Sequence, residues 1–257
     1  MDSAYRDYHS MAHRDRDPLQ WVHRYSSAQD QEIIAFLAAL LSYGNVTAIL
    51  TSLNRALTPL GETPFEKIRN NDLPPEWKNF THRFTKGEDL VIVCHWLRCA
   101  IQSHGSLEGF FVAGEGTQMK ELLSSFVQRL RSQELPPHLK KIAAKRERNL
   151  KYLISDPEQG SACKRLNMFL RWVVRENDGI DLGLWKKIKA ETLILPIDTH
   201  LLQTLRRLKW TRSKQATWKV AEDATKRLRL YCADDPVRYD FSLCHLSMSR
   251  GSYAALE

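Results

Sequence analysis

Two side chains in this sequence of 257 residues could cooperate in chemistry at a sugar carbon, Lys164 and Asp198. Lys164 lies in the first turn of a helical stretch predicted over 161–175, where a positive charge stands against the helix dipole. That placement, with partial desolvation, favours the neutral amine and makes a usable nucleophile. Asp198 closes the β-prone run Leu193-Ile194-Leu195-Pro196-Ile197. Beyond it Leu201, Leu202, Leu205 and Leu208 mark one face of a helix predicted over 201–210. The dipole favours a carboxylate at that helix start, where its commonest task is to cap. An acid beside an amine suits a reaction through an oxocarbenium-like sugar. The acid steadies the developing charge, and the amine attacks the anomeric carbon to form a Schiff base. Taken singly, the two residues have plain structural explanations, an exposed helix lysine and a capping aspartate.

The elements that must position this pair are helices. Asp30 is a cap candidate for a helix over 32–41, apolar nearly all round and therefore central, which Gly44 can stop. A helix over 46–57 follows, and the prolines at 59, 64, 74 and 75 predict loops with short helical turns across 58–89. A second apolar helix covers 90–103; its Cys94, His95 and Cys99 read as core, since a closed zinc site wants four ligands. Met119, Leu122, Leu123, Phe126, Val127 and Leu130 make an amphipathic helix. Pro136-Pro137 opens a basic helix over 138–151 with Lys140, Lys141, Lys145, Arg146, Arg148 and Lys151. In the helix over 161–175, Leu166, Phe169, Leu170 and Val173 face inward, with Lys164, Arg165, Asn167, Met168, Arg171 and Trp172 on or beside the other face. Helices over 217–230 and 235–248 close the chain. Residues 1–30 are polar and irregular, with aromatic anchors at Tyr5, Tyr8, Trp21 and Tyr25 and a turn or helix start at Asp17-Pro18. The class is all-α, with 193–197 the one convincing strand-like segment.

Composition bounds the partners. Lys and Arg number 38 against 30 Asp and Glu, a net charge of +8, and the pI near 9.3 suggests a polyanionic partner. Five cysteines without paired short spacings argue for a reducing compartment. No N-terminal signal pattern and no apolar run near the ~20 residues of a membrane span are present, so a cytoplasmic protein is expected.

The string Leu195-Pro196-Ile197-Asp198-Thr199-His200, continued by Leu201, Leu205, Arg206, Arg207 and Leu208, resembles the acid-bearing segment of the helix-hairpin-helix DNA glycosylases, the endonuclease III superfamily. Lys164-Arg165-Leu166-Asn167-Met168-Phe169-Leu170 is similar to the helix that carries the Schiff-base lysine of that superfamily. The helix ending in Ser42-Tyr43-Gly44-Asn45 is similar to its early core helix, which ends in a polar residue that probes DNA. The long gap from Lys164 to Asp198 looks most like the archaeal 8-oxoguanine glycosylases. Cys163-Lys164-Arg165-Leu166-Asn167, Pro196-Ile197-Asp198-Thr199-His200 and Asp235-Pro236-Val237-Arg238-Tyr239-Asp240-Phe241 resemble a related bacterial family of undefined function. Where that superfamily's hairpin carries a Gly-x-Gly phosphate turn, only Gly160-Ser161-Ala162 precedes Lys164. The four-cysteine iron–sulfur loop has no counterpart, so no cluster is expected.

The resemblance implies a two-lobed all-α fold with a cleft between lobes, about 46–155 forming one and 1–45 with 156–257 the other. It implies a monomeric, nucleoid-associated DNA glycosylase for a damaged purine, with or without strand cleavage, acting on double-stranded DNA without cofactor or metal. Lys164 and Asp198 would be catalytic; Trp172, Asn167 and Asp240 would line the base pocket, Asp240 reading the base edge and Trp172 stacking on the flipped base. Gly160, Ser161, Arg165, His200, Arg206, Arg207 and the basic helix would hold phosphates, and Tyr43 and Asn45 would enter the gap in the duplex. Two other readings stand beside it: a non-catalytic DNA- or RNA-binding protein on the same scaffold, and a helical protein–protein scaffold whose charge is only solubilising.

Overall fold

The computed structural model describes residues 1–15 and 17–248; their regular structure is helical apart from one two-stranded hairpin, with loops between the elements. The chain divides into two compact units, Met1–Arg16 with Pro157–Glu257, and Asp17–Asp156. Residues 17–45 thus fall with 46–156, and not with the C-terminal part as the expected division had it. The reason is packing: the helix within 17–45 is covered by its neighbours from the same stretch. Of the expected C-terminal lobe, residues 249–257 lie outside the described residues.

Two short helices open the chain, α1 (Asp2–Tyr8) and α2 (Met11–Arg14). Asp17 then caps a 3-10 turn, Pro18–Arg24, by accepting the Leu19 amide at 2.9 Å. Helix α3 (Ala28–Leu41) begins earlier than Asp30, because Ser27 caps it and accepts the Asp30 amide at 3.4 Å. The Asp30 carboxylate instead reaches inward to the Phe65 amide, 2.9 Å away. Every side chain from Ile33 to Leu41 is buried, so α3 is the core of its unit. Around it run α4 (Val46–Leu57), α5 (Pro64–Arg69), the hairpin β1 (Thr81–His82) and β2 (Thr85–Lys86), α6 (Gly87–His104), α7 (Leu107–Val112), α8 (Met119–Arg131) and α9 (Pro137–Leu153). The hairpin falls inside the stretch expected to hold loops and helical turns, and pairs Thr81 with Lys86 and His82 with Thr85. On α6, His95 Nε2 lies 2.8 Å from the Glu134 carbonyl, a packing role.

The discontinuous unit holds α10 (Lys164–Val174), α11 (Thr199–Arg207), α12 (Trp218–Leu228) and α13 (Asp240–Met248). The predicted helix 235–248 is split: Pro236–Tyr239 forms a 3-10 turn and α13 starts at Asp240. The segment 193–197 is buried but joins no sheet. Its Leu195 amide donates to Thr225 Oγ1 of α12 at 3.0 Å, a side-chain acceptor standing where a neighbouring strand would be. The N-terminal residues complete this unit, with the Tyr239 hydroxyl donating to Asp2 at 2.9 Å and Tyr5 stacked on His9. Among the described residues no helix is long and apolar enough to cross a membrane, and no group of three or more His, Cys, Asp or Glu is placed to hold a metal ion.

Candidate active site

Lys164 is the first residue of α10, and the turn that delivers it is tight. Gly160 has φ +81, and Cys163, without glycine's freedom, has φ +47. The Ser161 hydroxyl steadies the turn by accepting the Cys163 amide at 3.1 Å. The Gly160 carbonyl accepts the Trp218 amide at 3.1 Å, and Ser161 bridges to Thr217. Lys164 itself is half-buried. One turn on, Asn167 is 1% exposed; its Nδ2 donates to the Ala162 carbonyl at 2.9 Å, while its Oδ1 has no hydrogen-bond partner.

The same stripe continues through Arg171, which the sequence pattern placed on or beside an outer face, to Arg175 at the C-cap of α10, and both are in fact buried. Arg171 contacts Asp181 (Nε to Oδ1, 3.2 Å) and Asp240 (Nη1 to Oδ2, 2.5 Å). Arg175 pairs with Asp181 and also holds Asp235 at 2.8 Å and Asp178 at 3.2 Å. His9 Nε2 extends the network by meeting Asp178 Oδ2 at 2.9 Å. Burial opposes the charge on Arg175, yet Asp181, Asp235 and Asp178 outweigh it and hold the guanidinium firmly cationic. For Asp178, too, burial favours the neutral acid, but His9 and Arg175 prevail and keep the carboxyl well below its usual range.

At Asp240 the balance tips the other way. Burial raises its pKa, and Asp198 adds to the rise, against the opposing pull of Arg171 and Lys164. Beside it on α13, Cys244 offers its thiol to Asp240 Oδ1 at 3.6 Å. Burial pushes that thiol well above its ordinary value, Asp240 and Asp198 push further, and Lys164 and Arg171 oppose them. Asp240 and Cys244 of α13 thus both feel Lys164 and Arg171 of α10 and Asp198 at the cap of α11.

Asp198 caps α11, its Oδ1 accepting the Leu201 amide at 2.8 Å. The helix begins at Thr199, two residues ahead of the apolar pattern, and ends at Arg207. Beyond the cap His200, Arg206 and Arg207 are exposed.

Two expected site residues are corrected. Trp172 is fully enclosed, so it is a core tryptophan with no face open for stacking, and its indole N–H lacks a partner. Arg165 is only 9% exposed, which removes it from the solvent-facing cations that could meet a phosphate. On the basic helix, α9, Arg146 is likewise committed: its Nε holds Asp89 at 2.9 Å. Lys140, Lys141, Lys145, Arg148 and Lys151 stay exposed.

In the other unit, Asn45 caps α4 by accepting the Thr47 amide at 2.9 Å, and its residue is exposed. The Tyr43 hydroxyl donates to the His82 carbonyl at 2.9 Å and meets Thr85 Oγ1 at 2.8 Å, tying it to the hairpin. The hairpin tip, Arg83-Phe84, was not singled out by sequence. Arg83 has φ +52, and Phe84 is 56% exposed. Its carbonyl is held by Arg146 at 2.7 Å and Asn149 at 2.9 Å, so an open aromatic ring is carried on a fixed backbone. The buried arginine–aspartate network was missed too, although Arg171 and Arg175 at i, i+4 followed by Asp178 and Asp181 are its trace in the sequence.

Fold and site together define an all-α chain with a buried arginine–aspartate cluster running from the C-terminal part of α10 to the start of α13. The chain belongs to the DUF2400 family, described as a protein of unknown function, whose model matches residues 17–249. No curated protein and no solved structure matches it.

Proposed function

We propose that this chain is a DNA glycosylase of the helix-hairpin-helix type that excises an oxidised purine, with Lys164 as the attacking amine and Asp198 as the carboxylate that steadies the sugar cation. One observation carries the reading. Asp240, buried at the start of α13, feels both the Lys164 amine at the start of α10 and the Asp198 carboxylate that caps α11, which supports an amine and an acid serving one site. In the reaction the C1′–N glycosidic bond breaks and its electron pair leaves with the base. The lone pair of Lys164 Nζ, in its neutral form, closes on C1′. The proton lost from Nζ passes to O4′, the C1′–O4′ bond opens with its electron pair on that oxygen, and the Nζ lone pair closes to C1′ as the Schiff base. Water then restores the amine and releases an abasic sugar; loss of a C2′ proton would instead expel the 3′ phosphate and cut the strand. Asp240, expected as the base-edge reader, is 2% exposed with its oxygens engaged by Arg171 and Cys244, so it would hold Arg171 in place instead of meeting the base. The exposed Arg206 and Arg207 of α11, in the same unit as Lys164 and Asp198, would supply salt-sensitive phosphate contacts.

Borohydride trapping on duplexes with abasic sites or oxidised guanine tests the amine. A covalent adduct with the wild type, absent in Lys164→Ala, is expected; no adduct across the lesion panel would sink the Schiff-base role. Asn caps as well as Asp, so Asp198→Asn should keep the fold and the binding while excision falls by orders of magnitude. The enclosed Trp172 favours a second reading, a non-catalytic nucleic-acid-binding protein on the same scaffold, since no stacking wall is open. Binding without trapping is the result that would select it.

A further inference from the structure

Six of the seven tryptophans are buried, at 4% exposure or less: Trp21, Trp77, Trp96, Trp172, Trp185 and Trp218. Trp210 is the exception, half-buried just beyond the C-terminus of α11. The backbone that presents it is fixed. Lys209 occupies the left-handed region with φ +57, a place where glycine is usual after a helix. The Lys209 and Trp210 amides close the helix on the Arg206 and Leu205 carbonyls at 3.1 and 2.8 Å. Tyr231, 51% exposed, lies nearly parallel to Trp210, with ring centroids 6.5 Å apart and planes 18° apart. The Arg227 guanidinium lies 5.9 Å from the Trp210 ring centre, and Leu230 beside Tyr231 is 84% exposed. Arg206, Arg207, Lys209, Lys226 and Arg227 are all exposed here. The acids of the region are largely engaged, Asp223 by Lys219 at 2.9 Å and Asp235 by Arg175, with Asp234 exposed at the edge.

We propose that the Trp210–Tyr231 face, with its surrounding cations, binds an unpaired strand of nucleic acid, the bases stacking on the two rings and the phosphates meeting Lys209, Arg227 and their neighbours. Flat aromatic faces among cations suit this ligand because every base has a π-face and every linkage a charge. A duplex hides its bases and offers the charges alone. The face lies outside the Lys164–Asp198 cluster, and it is independent of excision chemistry.

The test uses the full chain with undamaged pyrimidine 12-mers, one deoxyribo and one ribo, and a 12-base-pair duplex. Binding is followed by anisotropy of labelled strands and by tryptophan emission, in which Trp210 is the ring within reach of a base. Single strands should quench the emission and bind more tightly than the duplex, and the stronger of the DNA and RNA arms names the natural strand. Trp210→Ala and Tyr231→Ala should each weaken single-strand binding about 5- to 150-fold, the range set by loss of one base stack. Trp210→Phe should restore most of it. Unchanged affinity in both alanine variants with unchanged melting temperature would overturn the proposal, as would unaltered emission at saturation. Self-association relieved by Leu230→Ser would also overturn it, by assigning the face to a second copy. Trapping at Lys164 is unaffected by any of these results, so the two proposals fail separately.

Discussion

Replacing Asp181 with asparagine tests the buried ion network at its centre. Asp181 has no exposure and accepts from two guanidiniums, Arg171 Nε at 3.2 Å and Arg175 Nη1, each arginine side chain being 4% exposed. A hydrogen bond between charged groups is worth about 1.5–3 kcal/mol, so the two contacts together reach roughly 3–6 kcal/mol. Asparagine keeps one carbonyl acceptor, but it leaves the arginines with less compensation in a dry interior. Breaking a buried pair from one side costs about 3–5 kcal/mol, and the expected loss lies in that range. For a chain of this size each kcal/mol moves the melting temperature by about 2–4 °C, so Tm should fall by roughly 6–20 °C. Urea unfolding followed by circular dichroism gives the free energy, and a thermal melt gives the shift. A loss below about 1 kcal/mol would refute the reasoning, because it would mean that Asp178, Asp235 and Asp240 already neutralise both arginines.

The same network sets an acid limb. Asp178 is held below its ordinary value of 3.8 because His9 and Arg175 outweigh the effect of burial. A carboxyl depressed in the folded state contributes stability that is complete above the unfolded value and is lost as pH falls through 3.8 toward the folded one. Asp178→Asn should therefore lower stability at neutral pH and flatten the acid side of a stability–pH curve; an unaltered slope below pH 3.8 would count against the pair. In the other unit, Gly87 opens α6 against the turn Pro75–Asn79, where a Cβ would lie 1.7 Å from the Trp77 carbonyl oxygen. Both sides are backbone, so Gly87→Ala should cost at least about 1–3 kcal/mol in a melt or yield little soluble protein, and near-native stability would contradict that close approach.

What could be read from the sequence was local. The apolar run of α3 and the cap at Asp198 are written within a turn or two, and both elements stand where their patterns place them, give or take the cap at Ser27. The interior charges of α10 could not be read that way. Arg171 and Arg175 resemble a solvated face, and the acids that turn them inward come from a loop at 178–181, from Asp235 and from the start of α13. The segment 193–197 carries strand-like residues because strand propensity records a half-buried pleated surface, and burial alone satisfies it here without a ladder. The hairpin of β1 and β2 is too short for any alternation to show, and its Arg83-Phe84 turn has no glycine to announce it. Of the candidate site, Lys164 and Asp198 are visible as helix starts, whereas Cys244 becomes relevant only through its contact with Asp240.

The discontinuity of the first unit has a consequence for the order of folding. Residues 17–156 form a compact unit by themselves and can collapse as soon as that stretch has left the ribosome. The preceding helix α1 cannot. Its Asp2 receives the Tyr239 hydroxyl, and His9 of the same segment holds Asp178. The segment carrying α1 and α2 thus waits for partners beyond residue 156, and a nascent chain stalled before residue 157 carries both helices without the surface they cover.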